Sequence, residues 1–170
     1  MKISAQEGYG LRCLIQLARA EEEVVPVAQI AEAEGLSVPY AEKLLRILNR
    51  AGIVESVRGS KGGYHLAMAA DRVTLGAALR ALGGFPSPAT VCGHYAGQRD
   101  ECVHSPSCSV RPVWAQIALY LQGMLDSMVL ADLLEDEREV RAKIAEVHSA
   151  AVSTSALAVG GGFDVRSYGE

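Results

Sequence analysis

The chain has 170 residues, enough for one domain with a proper core and an appended helix or tail. Apolar residues make up 49% and aromatic ones only 5%, a composition rich in Ala and Leu that favours packed helices over a β-sandwich. The formal charge of −4 excludes a wholesale basic coat for non-specific nucleic-acid binding, and leaves open a local basic surface.

No apolar run reaches the length needed to cross a bilayer. The opening residues Met1-Lys2-Ile3-Ser4-Ala5-Gln6-Glu7 lack the apolar core of a secretory signal. The expected location is therefore the cytoplasm, with no membrane partner. There cysteines stay reduced and serve more often as ligands or redox centres than as structural disulfides.

In chain order, Glu7 to Ala20 carries Leu11, Leu14, Ile15, Leu17 and Ala18 at helical spacing with one buried face. Cys13 falls among them and reads as a small core residue. The Glu21-Glu22-Glu23 run ends the helix, and Pro26 marks a loop. Next comes a short helix around Ile30 and Ala31, whose apolar side can pack on Leu44, Leu45 and Leu48, while Glu32 and Glu34 are expected to face water. Gly35 supplies the positive φ of a helix stop. Ser37 is placed to cap a second helix, with Pro39 in its first turn, where a missing N–H does no harm. The exposed side of this second helix presents Tyr40, Glu42, Lys43, Arg46 and Arg50. Steps of three and four residues put Lys43, Arg46 and Arg50 on one face.

A short strand, Ile53–Val57, and its return, Tyr64–Met68, flank Arg58-Gly59-Ser60-Lys61-Gly62-Gly63. The glycines permit a tight reversal and a close backbone approach to phosphate, and Arg58 and Lys61 add charge. The loop lacks the strand-to-helix setting of a dinucleotide fingerprint and the ending of a Walker motif. Helix, turn, helix and glycine-rich hairpin together describe a winged helix-turn-helix, which places one helix in a DNA major groove. The predicted fold class is thus mainly α with a small β-wing, a winged helix-turn-helix domain plus a long dimerisation helix.

Beyond the wing, Val73 to Leu82 is a further amphipathic helix stopped by Gly83-Gly84. A helix from Pro112 to about Leu134 carries Val113, Ile117, Leu121, Met124, Met128 and Ala131 in one stripe, widened by Trp114, Leu125 and Leu130. So broad an apolar face is expected to pack twice, against its own domain and a partner chain, the alternative being a helix buried in a monomer core. Glu135–His148 either extends that helix or forms a separate one. From Ala150 the Ser, Ala and Gly composition suggests a mobile tail. The resulting boundaries are 1–84 for the DNA-binding domain, 85–110 for a cysteine loop, 111–149 for the dimerisation helix and its extension, and 150–170 for the tail.

Within that loop Cys92, Cys102 and Cys108 are separated by nine and five residues, and Gly93, Gly97 and Pro106 let the segment fold round a centre. Thiolates suit zinc or an iron–sulfur cluster. Structural zinc prefers short Cys-x-x-Cys knuckles, which are absent here. Three thiolates with an open fourth position suit a labile, sensing cluster, while zinc and cluster-free thiol redox chemistry stay open. No nucleophile–base pair or paired carboxylates point to an enzyme.

The combination Leu36-Ser37-Val38-Pro39-Tyr40, Lys43-Leu44, Leu48, Gly52, Val54 and Arg58-Gly59-Ser60-Lys61-Gly62-Gly63-Tyr64, with Tyr9-Gly10-Leu11-Arg12 ahead of it, resembles the Rrf-two family of winged-helix bacterial regulators, including its IscR- and NsrR-like iron–sulfur sensors. The likeness runs from Met1 to about Leu134. It implies a homodimer on partly palindromic, double-stranded operator DNA. The recognition helix would be Val38–Arg50, with the wing at Arg58–Tyr64. The DNA-binding set would comprise Ser37, Pro39, Tyr40, Lys43, Arg46, Arg58, Gly59, Ser60, Lys61, Gly62, Gly63 and Tyr64. The resemblance also implies that Cys92, Cys102 and Cys108 hold an iron–sulfur cluster. Its type, 2Fe–2S or 4Fe–4S, stays undecided because the first gap is longer than in the family's best-known sensors. One branch takes a fourth ligand from a histidine at the place of Arg111. Another takes it from an acidic residue at the place of Gly8 in the partner's first helix. Glu7, one residue out of register, is the leading candidate, with His104 and His94 as rivals. The function implied is a dimeric transcriptional regulator sensing redox state, nitric oxide or iron. The alternatives are a zinc-stabilised winged-helix interaction module and a cluster-free thiol regulator.

Overall fold

Ser4 starts the first helix through a reciprocal cap. Its hydroxyl accepts from the Glu7 amide at 3.3 Å, and the Glu7 carboxylate accepts from the Ser4 amide at 2.6 Å. In the computed structural model, which describes residues 3–21, 23–59, 61–84, 102–104 and 107–158 (backbone alone over 151–158), α1 spans Ala5–Arg19. It buries Gly10, Cys13, Leu14, Leu17 and Ala18 on one side, as its apolar spacing predicts.

Two further helices follow, α2 over Val27–Ala33 and α3 over Val38–Arg50. Ile30 of α2 and Leu44, Leu45 and Leu48 of α3 are fully buried in one core with Leu14 and Leu17. Between the helices, Gly35 takes φ +62° and the Leu36 amide donates to the Ala31 carbonyl at 2.8 Å, closing the stop that the sequence predicts. Ser37 occupies the N-cap of α3 with extended backbone, but its hydroxyl makes no capping hydrogen bond. Pro39 in the first turn removes one of the orphan donors instead. One expectation fails at the end of α2. Glu34 does not face water: its carboxylate is only 10% exposed and accepts from the Gln16 side chain at 2.6 Å. A buried carboxylate needs such a partner, and α1 supplies it.

The wing is an antiparallel pair, β1 (Val54–Val57) and β2 (Gly63–Leu66), in register from Val54 opposite Leu66 to Val57 opposite Gly63. Val25 adds a bridge to its inner edge, exchanging hydrogen bonds with Tyr64 at 2.9 and 3.0 Å. The next helix, α4 (Leu75–Leu82), starts where the Thr74 hydroxyl accepts from the Ala77 amide, and packs Leu82 against Gly10 of α1.

The long helix expected from Pro112 to Leu134 is two shorter elements. Helix α5 covers Arg111–Asp126, and a 3-10 turn occupies Leu130–Leu133. The break has a definite cause. The Leu75 amide donates to the Met128 carbonyl at 2.9 Å, and the Leu130 amide donates to the Val73 carbonyl at 2.8 Å. Those long-range backbone bonds compete with the helical ladder, and Met128 and Leu130 are buried beside them. Met128 and Ala131 therefore leave the stripe that periodicity assigned them. The following helix is separate: α6 runs Glu137–Ala158, and the Asp136 side chain accepts from the amides of Arg138 and Glu139 at its start. Residues 150–158 continue α6 as helix. No helix among the described residues is long and apolar enough to cross a membrane.

Leu48 of α3 is fully buried in this core. Replacing it with alanine is expected to cost about 2–5 kcal/mol. Urea titration followed by circular dichroism should show this as a lower midpoint with an unchanged slope.

Candidate nucleic-acid interface and metal centre

Packing of Leu44, Leu45 and Leu48 inward turns the opposite side of α3 outward, where Lys43, Arg46 and Arg50 are exposed. Arg46 forms an ion pair with Glu42 one turn back at 2.6 Å. An exposed pair of this type is worth about 0.3–0.5 kcal/mol, so an incoming phosphate can displace it. Ser37 and Pro39 are also exposed at the start of the helix. Tyr40 is half-buried, its ring edge-on to Tyr9 of α1 with centroids 6.4 Å apart.

At the wing, the described part of the tip exposes Arg58 and Lys61, with Gly59 at φ +117°. Ser60 lies outside the described residues. The Gly62 amide donates to the Gly59 carbonyl at 2.9 Å, closing the turn. Gly63 and Tyr64 do not belong to the exposed set. A Cβ on Gly63 would lie 2.6 Å from the Val25 carbonyl carbon, and the Tyr64 ring is buried in the core. These two residues anchor the wing to the domain; the cations at its tip are what it presents.

Of the proposed cluster ligands, Cys102 and Cys108 are half-buried free thiols. Between them the Ser107 amide donates to the His104 carbonyl at 3.1 Å, and His104 is exposed. Two soft donors on one folded segment suit a thiolate-held metal or cluster. Cys92 and His94 lie outside the described residues. Glu7 is buried and already engaged with the Ser4 amide, so any ligand bond from it has to share or replace that cap. Among the described residues, no three His, Cys, Asp or Glu side chains come together as a metal site. Cys13 is fully buried, and its thiol is pushed up to about 11, first by burial and then by the nearby Glu34 charge.

One feature went unread in the sequence, and another, the outward apolar face of α5, was expected. Tyr9, Arg12 and Gln16 share one stripe of α1, facing Tyr40 and Glu34. The i, i+3, i+7 spacing was legible, but its partners were not. On α5, Val113, Trp114 and Ile117 stay exposed, Trp114 at 54%, together with Val110 ahead of it. Contiguous apolar exposure of this kind marks an interaction face.

A family model for Rrf2, described as an iron-dependent transcriptional regulator, matches residues 3–136. The chain belongs to the Rrf2 family. Protein rrf2 of Nitratidesulfovibrio vulgaris is 34% identical over 137 residues, covering 80% of this chain and 89% of that protein. The HTH-type transcriptional regulator IscR of Aliivibrio salmonicida is 31% identical over 137 residues, covering 80% and 79%. Among solved structures, CymR (YrzC), the global cysteine regulator of B. subtilis, matches at 32% identity and TM-score 0.60, covering 79% of this chain and 96% of that one. T. potens IscR matches at 34% identity and TM-score 0.60, covering 79% and 86%. The Rrf2 chain described here is accordingly a DNA-binding transcriptional regulator with the family's winged helix-turn-helix fold, and not an enzyme.

Cys13 should resist alkylation in the folded Rrf2 protein, since at pH 8 roughly one such thiol in a thousand is ionised. Peptide mass spectrometry after iodoacetamide treatment of metal-stripped protein should find Cys102 and Cys108 modified and Cys13 untouched until denaturant is added.

Proposed function

We propose that this regulator works in the cytoplasm as a homodimer on operator DNA, with an iron–sulfur cluster held by the segment between α4 and α5. In this reading α3 lies in the major groove, where Lys43 and Arg46 meet phosphate or base edges. Arg58 and Lys61 reach phosphate from the wing, and the backbone of Gly59 and Gly62 allows close approach. Ser37, Pro39 and Tyr40 set the start of the helix, and Gly63 and Tyr64 hold the wing. The observation that carries the DNA part is the outward face of α3, with Lys43, Arg46 and Arg50 exposed opposite a fully buried leucine stripe.

Dimerisation is assigned to the exposed Val110, Val113, Trp114 and Ile117 face of α5, whose burial against a second copy fits two half-sites about 34–36 Å apart. The domains are taken as 1–84 for DNA binding, 85–110 for the cysteine loop, 111–149 for dimerisation and its helical extension, and 150–170 for the tail.

Cys92, Cys102 and Cys108 are the proposed ligands, with Glu7 of the second copy as a fourth. Once bound, a cluster supplies a centre that oxidation, nitric oxide or iron loss can alter. The chain's part is mechanical. The loop joins the end of α4, which packs on α1, to the start of α5, so a change in how its thiols are tied bears on the spacing of the two winged domains. A coupling of about 1–3 kcal/mol would alter operator affinity about 5–150-fold. A second reading, a cluster-free thiol regulator, is favoured by the likeness to CymR, a cysteine regulator matching as well as IscR does.

Protein purified anaerobically should be coloured, contain iron and sulfide, and lose both when Cys92, Cys102 and Cys108 are changed to serine. Colourless protein holding zinc would point to a zinc-stabilised module, and colourless metal-free protein to the thiol regulator. For the DNA part, Arg46→Ala should weaken operator binding by about 1–3 kcal/mol and, where the lost contact is to phosphate, lower the salt slope by about 1. Fluorescence anisotropy across a salt series measures both, and unchanged binding removes Arg46 from the interface.

A further inference from the structure

The α1 stripe missed in the sequence touches both helices of the helix-turn-helix. Tyr9 meets Tyr40 in the first turn of α3, with ring planes at 80°. Arg12 lies over the same Tyr9 ring, 5.7 Å from its centroid, and its Nη1 is 4.0 Å from the Glu34 carboxylate. Glu34 is the C-cap of α2, directly before the Gly35 turn, and Gln16 donates to its other oxygen at 2.6 Å. Thus one face of α1 grips the last residue before the turn and the first turn after it. The contacts are edge-to-face, cation–π and charge-assisted, and each depends on direction more than an aliphatic contact does.

We propose that Tyr9, Arg12 and Glu34 are positioning residues for DNA recognition: they fix the angle at which α3 leaves the Gly35 turn, and so the register of its cations on the bases. The proposal rests on the reading of α3 as the recognition helix. A negative charge this close to α3 is otherwise unhelpful for binding a polyanion, and its burial at 10% exposure beside Arg12 and Gln16 gives it a geometric task instead. Such a task favours the correct sequence over random DNA, since phosphate attraction tolerates a misaligned helix and base-edge contacts do not.

The test uses the full-length protein and a duplex selected with it from a random-sequence pool, beside an unselected duplex of equal length. Tyr9→Ala and Glu34→Gln should each weaken binding to the selected duplex by roughly 3- to 10-fold. Binding to the unselected duplex, the salt slope and the folded fraction at the assay temperature should stay near wild type, and Tyr9→Phe, which keeps the ring, should restore affinity. Glu34→Gln is the sharpest variant because bulk electrostatics predicts the opposite sign. If it tightens both duplexes, the positioning role is overturned. A salt slope lowered by about 1 in Arg12→Ala would make that residue a direct phosphate contact and remove it from the clamp. Lys43→Ala and Arg46→Ala separate the two levels. If they weaken binding and the α1 and Glu34 variants do not, the clamp alone falls; if they change nothing, the reading of α3 falls and takes the clamp with it.

Discussion

Burial of Leu44, Leu45 and Leu48 beneath α1 and α2 is the constraint from which the rest of the structure follows. All three are fully buried alongside Leu14, Leu17 and Ile30. Each such side chain contributes about 1.5–3 kcal/mol on transfer from water. Rotating α3 about its axis would surrender most of that at once, so the leucines fix which side faces out. The cations Lys43, Arg46 and Arg50 inherit their exposure from that choice. Their basicity is local, in a chain whose formal charge is −4. A net negative molecule with one basic ridge suppresses indiscriminate binding while keeping attraction where the helix can meet a groove.

The wing obeys a different constraint, close packing of backbone. Gly63 has no room for a side chain because Val25 crosses it, and Gly62 has none because the Val57 and Gly59 carbonyls close over it. The glycine-rich motif was therefore readable as a hairpin, but the division of labour within it was not. Sequence spacing treats Gly63 and Tyr64 like Arg58 and Lys61; only the bridge from Val25 to Tyr64 reveals that the first two are anchors.

Local rules served well wherever a single element decided its own fate. Gly35 makes the turn after α2, and the limits of α3 match the predicted recognition helix. They failed where a distant segment intervened. The apolar stripe from Val113 to Ala131 has helical period throughout, yet Met128 and Leu130 are drawn away by the backbone of Leu75 and Val73. Nothing near residue 128 announces that pairing. Glu34 shows the same limit, since an acidic residue at a short helix end is ordinarily solvated, and Gln16 and Arg12 reach it only through the fold. The thiols of Cys102 and Cys108 were visible as chemistry because their residue type carries it, while their companion Cys92 falls outside the described residues.

The ties at residues 126–130 also bear on how a loop could influence a DNA-binding domain. At its C-terminal end α5 is held to α4 by the Arg80–Asp126 ion pair at 2.9 Å, and just beyond by the two backbone bonds to Val73 and Leu75. The ion pair is half exposed on both sides and contributes at most about 1 kcal/mol. The backbone bonds carry the buried Met128 and Leu130 with them and are the firmer hold. The opposite end of α5, at Arg111, adjoins the cysteine segment, roughly 24 Å away along the helix axis. Helix α5 also packs on α6, with Ala118 buried and the Tyr120 hydroxyl against His148, so in the proposed reading a displacement at Arg111 is passed to that packing. The exposed Val113, Trp114 and Ile117 lie on the arm of α5 nearest the cysteine segment. If that arm seats the second copy, a loop worth only a few kcal/mol can alter the relative angle of two winged domains without disturbing the leucine core that keeps each of them folded.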